Sequence, residues 1–178
     1  MTEERSKAVC FTGHRTPVFP DREERDGEHL GRIRERLLRE VRSAVERGAV
    51  TFYAGGAQGF DLLAEEVVLE VRKECPDIRL ILLRPSPELA PGGFGEAQSR
   101  FERVLEEADD ILYAAERGRQ PWLYHARNRL MVDSSSLVIA YLTGRSGGTY
   151  RCVKYAEKTG IPVVNLAEEP CMTLFELV

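Results

Sequence analysis

Two glycine-rich turns in this chain have the spacing of anion-binding loops. TFYAGGAQGFDLLAEEVVLEV places Gly55, Gly56 and Gly59 between an apolar run and an amphipathic one. LVIAYLTGRSGGTYRCVKYAEKTGIPVVNL does the same with Gly144, Gly147 and Gly148, then closes on a second apolar run. Glycine lets backbone N–H groups converge on one point, and a helix starting there adds the positive end of its dipole. The expected chemistry is binding of a phosphate or another anion. One such loop is as well explained by a tight turn; two on one edge favour a ligand.

Side chains beside these turns fit the same chemistry. The planar fork of Arg15 matches two phosphate oxygens. His14 is suited to donate to a phosphate or to move a proton near neutral pH. Asp61 falls in a first helical turn, where a carboxylate stabilises the helix with or without a ligand. Like charges repel, so as a ligand contact it would accept from a ribose hydroxyl or an amino group. Thr149 either offers its hydroxyl to a phosphate or caps a turn. Arg127 and Arg129 bracket Asn128 and point about 200 degrees apart on a helix. One is expected to reach the pocket and the other to pair with an acid such as Asp133.

Several familiar sites are absent. Neither GxGxxG after the first strand nor GxxxxGK[ST] occurs, which disfavours the usual dinucleotide and P-loop modes. The cysteines Cys10, Cys75, Cys152 and Cys171 form no CxxC pair, and His14, His29 and His125 have no metal-ligand spacing. No metal site is expected, and Cys10, inside the first strand, is read as a buried inert thiol. Ser134, Ser135 and Ser136 sit in no G-x-S-x-G elbow. No activated nucleophile is legible, so a binding or sensing role is favoured over catalysis.

The elements that must hold these residues alternate. Strands are predicted at 7–12, 50–54, 78–83, 110–114, 137–142 and 162–166, and helices at 27–47, 59–74, 96–108, 121–132 and 148–159. The pattern predicts an α/β fold, a three-layer sandwich around a mostly parallel sheet of about six strands. Every strand-to-helix loop then emerges at the carboxyl edge, where ligands bind. RPSPELAPGGFG, with three prolines and three glycines, is expected to be a mobile flap over that edge. Leu174, Phe175 and Leu177 are expected to pack a short terminal turn or helix.

At 178 residues, 43% hydrophobic and 30% charged, the chain is expected to be a single domain spanning residues 1–178. No apolar run reaches membrane-spanning length, and a cytoplasmic location is expected. The formal net charge of -4 disfavours nucleic acid as a partner, since backbone binding needs a basic surface. A two-fold homodimer is expected from the aromatic and apolar cluster Phe94, Phe101, Trp122, Leu123 and Tyr124.

CFTGHR at 10–15, GGAQGFDLLAEEVVLEVR at 55–72, RNRLMVDSSSLVIAY at 127–141 and GGTYRCVKYAEKTGIPVVNL at 147–166 together resemble the YpsA-like branch of the SLOG superfamily. These are Rossmann-like proteins related to the LOG cytokinin-activating enzymes and to the DNA-processing protein DprA. The resemblance covers nearly the whole chain and is weakest through 84–120. It implies a small phosphorylated ligand, nucleotide-like or ADP-ribose-like. The residues it points to are Gly13, His14, Arg15, Gly55, Gly56, Asp61, Arg127, Asn128, Arg129, Asp133, Gly147, Gly148 and Thr149. LOG-type phosphoribohydrolases carry PGGxGTxxE; here Ser146-Gly147-Gly148-Thr149 runs on to Tyr150, Arg151 and Cys152, without the proline or the glutamate. The alternatives to a binding protein are a nucleotide or N-glycosidic hydrolase using Asp61 or Glu65 with His14, and a DprA-like binder of single-stranded DNA.

Overall fold

The structure is a computed structural model and describes residues 3–15, 23–89 and 96–168. Its elements follow in the order α1 Glu3–Ser6, β1 Ala8–Gly13, α2 Glu23–Glu46, β2 Thr51–Ala54, α3 Phe60–Arg72 and β3 Arg79–Arg84. Then come α4 Glu96–Glu107, β4 Asp110–Tyr113, α5 Trp122–Asp133, β5 Leu137–Tyr141, α6 Gly147–Lys158 and β6 Val163–Asn165. The six strands form one sheet in the order β4-β3-β2-β1-β5-β6, and every pairing is parallel. This is the α/β sandwich of Rossmann-like type that the alternation predicts.

The two-residue period of the strands divides the core. Val9 and Phe11 face one apolar cluster, with Leu80, Leu82, Ile139 and Tyr141. Cys10, Leu83, Val138 and Ala140 face the other. On the first side α2 contributes Ile33, Leu37, Val41 and Ala44, the three-to-four spacing of a single helical stripe. Helix α3 packs between α2 and α4, so nearly every side chain from Phe60 to Val71 is buried. On the second side α5 and α6 pack against each other, α5 over β3 and α6 over β1 and β5.

Element ends lie within a few residues of the expected positions. The short helix α1 was not expected, because four polar residues carry no periodicity that a sequence pattern reveals. The start of the expected flap is anchored: Arg84 Nη2 donates to the Leu89 carbonyl at 3.0 Å, and Ser86 Oγ donates to the Gly118 carbonyl at 2.5 Å. Residues 90–95, with Phe94, lie outside the described residues, as do Cys171, Leu174, Phe175 and Leu177. Of the cluster assigned to a dimer surface, Phe101 and Leu123 are buried in the core, whereas Trp122 is 61% exposed. Among the described residues no helix is long and apolar enough to cross a membrane.

Candidate functional site

Strand order reverses at β1. The chain steps one way to β2, β3 and β4, and β5 and β6 lie on the other side. The loops after β1 and β5 therefore part from each other, and a crevice opens at their carboxyl ends. A cavity of about 380 Å³ occupies this crevice. The end of β1 supplies Phe11, Thr12, Gly13, His14 and Arg15. Helix α3 and its leading loop supply Ala57 and Asp61, α5 supplies Tyr124, Arg127, Asn128 and Met131, and α6 supplies Gly148 and Thr149. A larger groove of about 550 Å³ lies at the opposite, amino edge, lined by Arg5, Lys7, Tyr53, Arg79 and Asp133 among others. It is far from both glycine loops, so the smaller cavity is the site their chemistry addresses.

Its floor carries two buried groups of opposite charge, brought near each other from the two faces of the sheet without a salt-bridge contact. Arg127 on α5 is 5% exposed and Asp61 on α3 is 7% exposed. They meet over Gly55 because that residue has no side chain. An added Cβ there would lie 2.5 Å from Asp61 Oδ2 and closer still to Arg127 Nη1. Arg127 Nη1 also donates to the Leu83 carbonyl at 3.3 Å. Burial pushes the Asp61 carboxyl up to about 6, against the opposing pull of Arg127, Arg15 and the Gly13 backbone N–H. A carboxyl poised this close to neutrality inside a cavity is a natural proton acceptor or hydrogen-bond acceptor.

Glu65 lies one turn further along α3, is fully buried, and accepts the Gly56 N–H at 2.9 Å through Oε1. One N–H of the first glycine loop is thus already committed to an internal carboxyl. Burial, with Asp61 nearby, holds the Glu65 carboxyl well above the usual carboxylate range and favours its neutral form. Among the described residues, Glu65 Oε2 and Arg127 Nε have no hydrogen-bond partner. Gly59, at φ +86, brings the start of α3 against the end of β1. An added Cβ would lie 2.6 Å from the His14 carbonyl oxygen and 2.9 Å from Arg15 Cα.

The rim is built by the β1 and β5 loops. The Thr143 N–H donates to His14 Nε2 at 3.0 Å, so Nε2 is an acceptor and the neutral imidazole carries its proton on Nδ1. Burial pulls the His14 pKa down, in keeping with that neutral form. Thr149 Oγ1 donates to the Gly13 carbonyl at 2.8 Å and ties the first turn of α6 to β1. Ser146, just before α6, makes no side-chain cap bond. Arg15 is exposed, and its guanidinium lies 5.4 Å from the centre of the Tyr124 ring, a cation–π distance.

The cavity brings together Gly13, His14, Arg15, Asp61, Arg127, Asn128, Gly148 and Thr149. Gly55, Gly56 and Gly59 form the layer behind it, and Gly147 opens α6 without lining the wall. Arg129 and Asp133 are turned away. The Arg129 guanidinium lies 5.2 Å from the Tyr155 ring centre, and Tyr155 Oη donates to Asp133 at 2.9 Å. Arg127 lines the cavity and Arg129 does not; the expected pairing of the second arginine with Asp133 is replaced by a contact with Tyr155, which itself donates to Asp133. Sequence reasoning did not find Phe11, Ala57 or Met131 in the wall, nor the hold of Glu65 on the glycine loop. The latter had a signal, since Glu65 follows Asp61 by four residues and shares its helical face. Burial also raises both thiols beneath the site, Cys152 to about 11 and Cys10 further, so both are inert.

The model of the YpsA family, described as the YspA SLOG family, matches residues 9–160. The chain belongs to that family. A UPF0398 protein of Bacillus cereus strain G9842 is 26% identical over 156 residues, covering 86% of this chain and 84% of that protein. A UPF0398 protein of Bacillus thuringiensis strain Al Hakam gives the same figures. Among solved structures, DNA processing protein A from Helicobacter pylori superposes with a TM-score of 0.58 at 24% identity, over 88% of this chain and 63% of that one. Its counterpart from Streptococcus pneumoniae gives 0.57 at 17% identity, over 89% and 49%. The chain spans less than two thirds of either DNA processing protein, and the likeness is one of fold. Family and fold suggest a nucleotide- or ligand-binding role in general.

The fold likeness corrects one expectation. The Helicobacter pylori protein is described by its single-stranded DNA binding mode, so nucleic acid is not disfavoured as the net charge suggested. The physical reason is that phosphate contacts depend on local cations rather than on the sum over the chain. Arg15, Arg145 and Arg151 are exposed beside the carboxyl-edge loops.

Proposed function

We propose that the carboxyl-edge cavity binds a small phosphorylated, nucleotide-like molecule, ADP-ribose-like ligands included, and that the protein is a binding or sensing domain. The observation that most supports this is the gathering of three unlike groups in one cavity of about 380 Å³. They are the α6 start without a side-chain cap, the exposed Arg15 and the buried acceptor Asp61. The volume suits a small-molecule site. In this reading the phosphate lies against the α6 start and Arg15, and a base stacks near Tyr124 and Trp122.

Calorimetry and thermal shift against nucleoside monophosphates, ADP-ribose and sugar phosphates test this reading. At least one is expected to bind, with Arg15→Ala weakening it roughly tenfold, the worth of a charged hydrogen bond. No binder in the panel, or an Arg15→Ala variant that binds unchanged, would sink it. The near-neutral Asp61 keeps hydrolysis as a second reading, in which the same panel releases product and Asp61→Asn stops it. Fold likeness to a DNA processing protein supports a third. A labelled oligodeoxynucleotide bound at low salt and not displaced by mononucleotides would favour that one. Residence in the cytoplasm and a two-fold dimer complete the proposal. Exposed Trp122 supports the dimer, and light scattering is expected to return twice the 20.1 kDa chain mass; a monomer would remove it.

A further inference from the structure

The polar groups of the cavity divide into two halves of opposite character. At the α6 start and Arg15 the cavity offers donors and positive charge. At its floor it offers Asp61, which when ionised only accepts. Arg127 borders the same floor and donates to the Leu83 carbonyl; its charge offsets that of Asp61 across Gly55 without a salt-bridge contact, so the carboxylate keeps its capacity to accept. An ionised phosphate is itself an acceptor, so it meets the rim's donors but has nothing to offer Asp61, which calls for a donor.

Gly13 sets the distance between the halves. Its backbone N–H lies near enough to pull the Asp61 carboxyl down, and its carbonyl accepts from Thr149 Oγ1 at 2.8 Å in the first turn of α6. The two polar ends of one residue therefore hold the floor and the α6 start on opposite sides of it. With a single residue between them, the separation is on the order of 10 Å. That length suits a group whose phosphate and hydroxyl donors are separated by a sugar ring. Asp61 Oδ2 lies over Gly55 beside Arg127 Nη1, and the residue also lines the open cavity, so acceptor capacity remains toward an occupant.

We infer that Asp61 determines specificity in this cavity by accepting hydrogen bonds from the vicinal diol of a ribose, so that the occupant is a ribose phosphate ester and not its 2′-deoxy counterpart. The inference rests on the phosphate-binding reading of the same cavity. The diol matters because a nearly buried carboxylate has lost most of its water. An occupant that brings two hydroxyls restores what burial removed, and one that lacks a hydroxyl leaves the acceptor short while still displacing solvent.

The experiment is calorimetry on the wild-type chain with the four ribonucleoside 5′-monophosphates and their 2′-deoxy partners. Each ribonucleotide that binds is expected to bind about ten- to a hundredfold more tightly than its deoxy partner. In Asp61→Asn, checked for folding by circular dichroism, the two members of each pair are expected to bind alike. In Arg15→Ala both weaken together and the ratio between them survives. Equal affinities for ribo and deoxy partners in the wild type overturn the inference and leave the phosphate reading standing. A ratio that persists in folded Asp61→Asn overturns the assignment to Asp61. No binding by any of the eight overturns the inference for nucleotides, and the phosphate reading falls with it only if ADP-ribose and the sugar phosphates also fail to bind. The wild-type pairs decide the question even if the variant fails to fold.

Discussion

Gly55→Ala is expected to destabilise the protein by about 1–3 kcal/mol, the cost of forcing a methyl into filled space, and to abolish ligand binding. The added methyl would fall 2.5 Å from Asp61 Oδ2 and nearer to Arg127 Nη1. Relief requires one of the two side-chain ends to swing into the cavity they line, which costs Arg127 its bond to the Leu83 carbonyl and occupies the ligand's space. The methyl therefore drives the two charged ends further apart or displaces the β2 end. Gly144→Ala is the matched control: no heavy atom lies within 4 Å of its added Cβ, and a change within about 0.5 kcal/mol is expected. Urea unfolding of the two variants reads both. A Gly55→Ala variant as stable as Gly144→Ala would show that Arg127 does not pass over this residue.

The fold was legible because its signals are local. Val9, Phe11, Leu80 and Leu82 alternate with residues of the opposite core, and Ile33, Leu37, Val41 and Ala44 repeat with a helical period. Each pattern is complete within one element, so a reader needs no knowledge of what packs against it. Parallel order follows from the length of the crossovers. The site was legible only in its edge. Loops after strands must gather at the carboxyl end, which placed His14, Arg15, Asp61 and Thr149 together before any contact was known.

What stayed hidden were relations between distant segments. Gly55 looked like a donor of backbone N–H groups, and its structural use is to let a side chain from α5 cross over it. Nothing in GGAQGFD announces that the space belongs to Arg127. The helical angle between Arg127 and Arg129 did show that one must turn away, but not which, because that depends on the Tyr155 ring waiting on α6. Net charge misled for a related reason. It sums Glu28, Glu74 and Glu157, bound to arginine and lysine partners on the exterior, with residues that border the cavity. Such a total says nothing about where the cations are.

Arg127→Met is expected to cost about 3–5 kcal/mol near pH 8, with a smaller loss near pH 5. Methionine fills the same channel but leaves Asp61 and Glu65 buried without the cation between α5 and α3. In the wild type the Asp61 carboxyl is lifted from 3.8 to about 6, so the folded state holds its proton more tightly than the unfolded one. Its contribution is fully present below 3.8 and is lost as pH rises through about 6, a change of about 3 kcal/mol. Glu65, raised in the same direction by burial, adds to that loss on the alkaline side. Arg127 is one of the groups pulling both acids down, so without it they hold their protons to higher pH and the penalty for ionising them grows. His14 works the other way: burial depresses its pKa, and its contribution is lost as pH falls below 6.5. Because His14 is common to both proteins, the difference between variant and wild type isolates the acids. Urea unfolding at pH 5, 6, 7 and 8 should show that difference widening with pH. In an Asp61→Asn background Arg127→Met should cost less, and the shortfall measures the coupling of the pair. A difference that stays constant from pH 5 to 8 would mean that Asp61 ionises without regard to Arg127, and the charged floor of the cavity would have to be abandoned.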